Sequence, residues 1–118
     1  MSRSIGRTRE VSFQKLQKIF KDLTQVQIAV LFGSRARRDT NTKSDYDIAV
    51  LMEKGKGGLD NPFYTLYAEL PALMNIQECD LDFIDLRTAN RILKGSINEN
   101  YLILKGQKDE ISRILREN

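Results

Sequence analysis

Apolar residues in the first third of the chain change their spacing from a helical to an extended period. They first recur every three or four positions, at Leu16, Ile19, Phe20 and Leu23. This spacing, with lysines on the opposite side, predicts an amphipathic helix that begins at Ser12. Over residues 26–32 apolar residues alternate and then become continuous, which predicts a strand covered on both faces. Gly33 and Ser34 end this strand.

Two further strands are predicted, and each carries aspartate. Residues 35–43 indicate a short helical turn and a loop, and a second strand follows over residues 46–52. The alternation places Asp45 and Asp47 on one face of this strand and Tyr46 on the other. Residues 79–86 alternate in the same way and predict a third strand with Asp82 near its middle. The first two strands are expected to pair as a hairpin.

The remaining segments predict helices and one loop. Residues 53–61 are rich in glycine and indicate a flexible loop whose spacing fits no P-loop. Pro62 suits the first position of a helix, which Pro71 is expected to kink or restart. The apolar stripe of this helix comprises Phe63, Leu66, Tyr67, Leu70, Leu73 and Met74. A short helix near residues 88–93, an apolar stretch at 101–104 and a last helix over 109–116 complete the chain.

Composition limits both the architecture and the chemistry. A chain of 118 residues can bury one core, so residues 1–118 are expected to form a single domain. The absence of histidine excludes serine–histidine and cysteine–histidine nucleophile pairs and histidine-containing zinc sites. Carboxylates, lysines or tyrosines must therefore carry any proton transfer or metal binding. Cys79 has no partner for an internal disulfide and is expected to be a small buried apolar residue.

Charge and apolar runs bear on location and partners. The net charge of +3 is typical of an ordinary solvated surface, so direct nucleic-acid binding is not expected. The longest apolar run, residues 28–32, is far too short to span a membrane. The first ten residues lack the apolar segment of an export signal. These features predict a protein without a membrane span, and the lack of a disulfide partner for Cys79 predicts a reducing compartment, the cytoplasm.

The candidate site combines Gly33, Ser34, Asp45, Asp47 and Asp82. Two carboxylates two residues apart on a strand point to the same face, where they repel each other unless a cation lies between them. Three oxygen donors suit Mg²⁺ or Mn²⁺, which also bind substrate phosphates. Gly33 permits close backbone approach, and Ser34 offers a hydroxyl and an N–H group to a phosphate. The constellation predicts transfer chemistry on a nucleoside triphosphate, with Asp82 accepting the proton of the attacking hydroxyl.

These residues resemble a known family. The segments GSRARRDTNTKSDYDIAVL and CDLDFIDL are similar to the polymerase-β-like minimal nucleotidyltransferases, the MNT half of prokaryotic HEPN/MNT toxin–antitoxin pairs. The family pattern of Gly-Ser, a ten-residue gap and Asp-x-Asp falls on Gly33, Ser34, Asp45 and Asp47, and its third carboxylate falls on Asp82. The resemblance implies an α/β fold, a mixed sheet flanked by helices. It also implies that ATP and two Mg²⁺ ions, with Mn²⁺ as an alternative, bind at one edge.

The resemblance further implies an activity and a partner. Related chains act as antitoxins that transfer AMP from ATP to a tyrosine of a HEPN ribonuclease toxin, with which a hetero-oligomer is expected. Arg38 stands where relatives commonly have glycine, so either it adds positive charge toward the triphosphate or nucleotide binding is weakened. Arg35 is placed in the same nucleotide-binding set, with a solvated loop charge as the competing interpretation.

Two alternative functions, and the role of four aromatic residues, remain open at this stage. The chain is an antitoxin that neutralises its toxin by binding alone, or a nucleotidyltransferase that acts on a small-molecule hydroxyl. Four aromatic residues, Tyr46, Phe63, Tyr64 and Tyr67, form either a wall that stacks on adenine or part of the core.

Overall fold

The computed structural model describes residues 11–37, 45–53 and 62–117. Within these ranges helices and strands alternate along the chain. Their bounds are α1 Phe13–Asp22, β1 Val26–Phe32, α2 Ser34–Arg37, β2 Tyr46–Met52, α3 Pro62–Met74, β3 Leu81–Asp85, α4 Arg91–Glu99, β4 Tyr101–Lys105 and α5 Lys108–Arg116. A 3₁₀ turn, Glu78–Asp80, precedes β3.

The strands form a mixed four-stranded sheet in the order β3-β2-β1-β4. β1 is antiparallel to both β2 and β4, so the expected hairpin of the first two strands is confirmed. β2 and β3 run parallel, which requires the crossover that α3 provides. This arrangement confirms the predicted α/β class.

Helices cover both faces of the sheet. On one face, here called the α1–α3 face, the core includes Leu16, Phe20, Leu66, Leu70, Tyr46, Ile48 and Val50. On the opposite α4–α5 face the core includes Ile28, Val30, Ala49, Ile97, Ile111, Ile114 and Leu115. Because β1 lies between the two layers, alternate residues of the strand enter opposite layers, and its continuous apolar sequence is explained. Within the described ranges, no helix is long and apolar enough to cross a membrane.

The two N-terminal predictions are confirmed in detail. Ser12 caps α1, and its hydroxyl accepts a hydrogen bond from the backbone N–H of Lys15 at 3.1 Å. β1 and β2 have the predicted bounds.

The helix that begins at Pro62 is also confirmed, but it runs without a restart through Pro71 to Met74. Two residues of its expected stripe, Tyr67 and Leu73, are 43% and 44% exposed.

Three other expectations need correction or fall outside the structure. The helix expected near residues 88–93 is longer and begins at Arg91, because Asn90 caps it by accepting from the N–H of Leu93 at 2.8 Å. Cys79 is exposed, not buried, because it lies in the 3₁₀ turn before β3 and not in the strand. Residues 54–61 of the predicted loop lie outside the described ranges.

Candidate active site

Four strand termini meet at one end of the sheet. Phe32, the last residue of β1, is the Cα partner of both Asp47 in β2 and Tyr101 in β4. Asp47 is in turn the Cα partner of Asp82 in β3. Because β2 and β3 are parallel and in register here, the side chains of Asp47 and Asp82 leave the sheet on the same face. Alternation assigns that face to the α4–α5 side, since Ala49 lies in that layer.

The turn after β1 contacts the carboxylate of Asp47 directly. Gly33 has a φ of +74°, a left-handed conformation that residues with a side chain rarely adopt. A Cβ atom added to Gly33 would overlap Oδ2 of Asp47 and would lie 2.9 Å from its Cγ. Glycine is therefore required here both for its backbone conformation and for the space that the Asp47 carboxylate occupies.

The helix α2 begins immediately after this glycine. Ser34 is its first residue, and the N–H of Ala36 donates a hydrogen bond to the carbonyl of Gly33 at 3.1 Å. The backbone N–H groups at the start of a helix suit a phosphate oxygen. α2 thus begins at the residue that follows Gly33, the glycine in contact with Asp47. Arg38, the other proposed source of positive charge, lies outside the described ranges.

Arg35 does not extend into solvent as a free loop charge. Its guanidinium carbon lies 3.8 Å from the ring centroid of Tyr46, and the arginine is half-buried. Tyr46 is 1% exposed and belongs to the core on the α1–α3 face. The guanidinium of Arg35 is therefore held by the residue between Asp45 and Asp47, on the side of β2 that faces away from Asp47.

The three aspartates differ in how they are placed. Asp45 precedes β2 and is exposed, Asp82 is exposed on β3, and Asp47 is partly buried between Gly33 and Asp82. Across the three described ranges, no group of three or more acidic or cysteine side chains is arranged to hold a metal ion. Mg²⁺ characteristically uses one or two carboxylates and fills its other positions with water and substrate phosphates. The aligned pair Asp47 and Asp82 therefore fits Mg²⁺ that binds together with a nucleotide.

The aromatic residues divide between core and surface. Phe63 is buried and stacks on Phe83, with ring centroids 4.9 Å apart and an interplanar angle of 6°. Both rings belong, with Tyr46, to the core on the α1–α3 face. An adenine-stacking role for Tyr46 and Phe63 is therefore wrong. Tyr64 and Tyr67 are 68% and 43% exposed on α3.

The sequence pattern does not predict that Tyr46 is the partner of Arg35. The Asp-x-Asp pattern showed only that Tyr46 faces away from the two aspartates. No local periodicity connects an arginine in α2 with a tyrosine in β2, because the contact depends on the tertiary arrangement of these two elements.

Comparisons with known proteins give a family for this chain and a relative of known activity. Residues 14–110 match the family described as polymerase beta, nucleotidyltransferase. Over 95 residues the chain is 30% identical to "Protein adenylyltransferase MntA" of Aphanizomenon flos-aquae (strain 2012/KM1/D3). The alignment covers 76% of this chain but only 61% of that relative, so the chain spans less than two thirds of the relative's length.

Two solved structures share the fold over most of their length. A chain in the crystal structure of a toxin–antitoxin with AMP-PNP is 27% identical, with a TM-score of 0.66, and 89% of this chain and 82% of that chain are covered. A chain in the complex of the tri-AMPylated Shewanella oneidensis HEPN toxin with MNT antitoxin is 24% identical, with a TM-score of 0.60 and coverage of 88% and 81%. The second likeness shows the fold alone.

Proposed function

The chain belongs to the polymerase-β nucleotidyltransferase family, and from this premise we propose that it transfers AMP from ATP to a tyrosine of a HEPN-type toxin and thereby acts as its antitoxin. The observation that carries the proposal is the alignment of Asp47 with Asp82 beside the Gly33 turn. Similarity to a protein adenylyltransferase and to a toxin–antitoxin chain with AMP-PNP supports the substrate and the partner.

The residues of the site have separate roles in this proposal. The backbone at Gly33 and Ser34 binds the phosphates of ATP, because it lies at the start of α2 next to Asp47. Arg38 adds positive charge toward the same phosphates. The aligned carboxylates of Asp47 and Asp82, together with Asp45 as the third carboxylate of the motif, would hold Mg²⁺ or Mn²⁺. When bound, the metal neutralises charge on the phosphates.

The transfer itself needs little covalent help from the protein. The tyrosine oxygen attacks the α-phosphorus of ATP, a new P–O bond forms, and the bond to the β-phosphate breaks to release pyrophosphate. Asp82 accepts the proton of the tyrosine hydroxyl, because it is the exposed carboxylate next to Asp47 and is therefore open to an acceptor from outside. This assignment is consistent with a chain that contains no histidine.

The proposal places the catalytic residues in one domain that acts on a protein. Both core layers share a single sheet, which supports one domain, proposed here to comprise residues 1–118. A cytoplasmic location is proposed with it, because Cys79 has no partner for an internal disulfide. The site end of the sheet is formed by strand termini, so a partner protein can approach it and form a hetero-oligomer with the chain. Direct contact with nucleic acid is not part of the proposed activity.

Intact-mass spectrometry tests the proposal directly. The purified protein is mixed with its HEPN partner, Mg²⁺ and ATP, beside a double variant, Asp45→Ala with Asp47→Ala. We expect the partner to gain one or more AMP masses with the wild-type protein and none with the double variant. Circular dichroism of the double variant confirms that the sheet and helices are retained.

Two other outcomes would replace the proposal. A silenced toxin in a stable complex without added mass would identify an antitoxin that works by binding alone. AMP transfer to a small-molecule hydroxyl, with an unmodified partner, would identify a nucleotidyltransferase that acts on small molecules. A toxin that remains active with wild-type protein and ATP would contradict the antitoxin role altogether.

A further inference from the structure

Tyr46 contacts two parts of the chain that are distant in sequence. Its ring lies under the guanidinium of Arg35 at 3.8 Å, and its hydroxyl accepts a hydrogen bond from the backbone N–H of Val11 at 2.6 Å. The side chain is 1% exposed, and its Cα partner in β3 is Leu81. The backbone of Tyr46 is therefore held by its strand partner, and the hydroxyl end of its side chain is held by the segment before α1.

We propose that Arg35 and Tyr46 act as a pair of positioning residues that orient the phosphate-binding turn relative to the metal-binding aspartates. The proposal rests on the function proposed above and assigns a residue pair to it. Arg35 belongs to α2, which begins directly after Gly33, whereas Tyr46 separates Asp45 from Asp47. Their stack thus joins the two halves of the site on the α1–α3 face of the sheet, opposite the face that carries Asp47 and Asp82.

The short length of α2 explains why such a contact is needed. A helix of four residues has too few internal hydrogen bonds to be stable by itself, so its orientation depends on tertiary contacts. Ala36 supplies one of these because it is buried, and the stack of Arg35 on Tyr46 supplies another. A cation over an aromatic ring is attracted more strongly when water is excluded, and Tyr46 is in the core.

This role differs from direct contact between Arg35 and a phosphate. A direct contact would depend on the guanidinium and would be insensitive to the ring beneath it. A positioning pair depends equally on both members, and removal of either should have the same consequence. The hydroxyl of Tyr46 is not part of the stack, so phenylalanine at this position should preserve nucleotide binding.

A double-mutant cycle measures this coupling through nucleotide binding. The variants are Arg35→Met, Tyr46→Leu, their combination, and Tyr46→Phe. Isothermal titration gives the dissociation constant for AMP-PNP with Mg²⁺, and steady-state assays give kcat and KM for AMP transfer. We expect each single variant to weaken binding and raise KM about tenfold with kcat little changed, and the combination to be no weaker than either. Tyr46→Phe should stay within about twofold of wild type.

Two matched controls separate positioning from general destabilisation. Arg87→Met makes the same substitution at the other end of β2, where the Arg87 guanidinium donates to the carbonyl of Met52 at 2.8 Å. Phe20→Leu truncates another fully buried aromatic residue in the same core layer. Both should leave the dissociation constant within about twofold of wild type.

The inference is overturned by any of three results. Weak binding by Arg35→Met with normal binding by Tyr46→Leu would show a direct phosphate contact. Additive losses in the combination would show that the two residues act independently. A loss in Phe20→Leu equal to that in Tyr46→Leu would show a general effect of the core.

Failure of the proposed function can be told apart from failure of the positioning role, because AMP transfer and AMP-PNP binding are measured separately. A wild-type protein that binds AMP-PNP but transfers no AMP contradicts the proposed reaction, and the binding cycle then decides the positioning role alone. A wild-type protein that binds no nucleotide contradicts both.

Discussion

Gly33 lies so close to Asp47 that a Cβ atom on the glycine would overlap the Oδ2 atom of the aspartate. The turn after β1 and the carboxylate in β2 are therefore in direct contact and cannot move independently. This contact brings together the two halves of the Gly-Ser and Asp-x-Asp motif, which are separated in sequence by ten residues. It also makes the site sensitive to an added side-chain atom at Gly33.

Substitution of Gly33 by alanine should destabilise the protein and impair nucleotide binding. The backbone at Gly33 has a φ of +74°, which costs alanine energy in addition to the overlap with Asp47. We expect Gly33→Ala to lower the free energy of unfolding by about 2 kcal/mol or more, measured by urea denaturation.

Gly95→Ala is the matched control for this substitution. Gly95 lies in α4, and an added Cβ would meet nothing within 4 Å. Alanine should therefore raise the free energy of unfolding by about 0.5–1 kcal/mol, because it favours the helix. Equal effects of the two substitutions would contradict the contact between Gly33 and Asp47.

Neutralisation of Asp47 or Asp82 should abolish catalysis with little effect on the fold. Asparagine has nearly the same shape but lacks the charge that a divalent cation requires. We expect Asp47→Asn and Asp82→Asn each to lower the rate of AMP transfer roughly 100-fold or more. A chelator such as EDTA should have the same effect on the wild-type protein, with recovery on addition of Mg²⁺.

Asp85→Asn provides the control within the same strand. Asp85 lies at the other end of β3, and its Oδ1 accepts from the backbone N–H of Arg87 at 2.9 Å, a role that asparagine retains. The transfer rate should therefore be unchanged in this variant. A comparable loss in Asp85→Asn would mean that the effect of the site variants is not specific to the site.

Removal of the Tyr46 hydroxyl should affect stability more than nucleotide binding. The N–H of Val11 donates to this hydroxyl at 2.6 Å in a buried position, and phenylalanine would leave the donor without its partner. We expect Tyr46→Phe to lower the free energy of unfolding by about 1–3 kcal/mol. Tyr101→Phe should cost at most about 0.5 kcal/mol, because the Tyr101 hydroxyl is 3.5 Å from that of Ser112 and the pair is partly exposed. Calorimetry of both variants tests this order.

Cys79 should react with a thiol reagent in the native protein. The residue is exposed in the 3₁₀ turn before β3, and its sequence contains no other cysteine to compete. We expect one equivalent of thiol to react with Ellman's reagent without denaturant and none in the Cys79→Ser variant. A thiol that becomes reactive only after addition of urea would show that Cys79 is buried.

Local sequence patterns determined the helices and strands that carry the site. The bounds of β1 and β2 followed from the alternation of apolar residues, and the start of α1 followed from Ser12, because these signals act within a few neighbouring residues. The same local reasoning failed at Cys79. The alternating pattern begins at Cys79, whereas the strand itself begins only at Leu81. At Pro71 the helix continues without the restart that the sequence allowed, and the proline is buried.

The sequence by itself determined the site's residue types, the spacing of Asp45 and Asp47 on one face, and the family to which the motif belongs. Only the tertiary structure decided that Asp82 aligns with Asp47, that Gly33 contacts Asp47, and that Arg35 stacks on Tyr46. Each of these contacts joins residues from different elements. Strand order and register depend on how all the apolar faces are buried together, and no local pattern of residues encodes that choice.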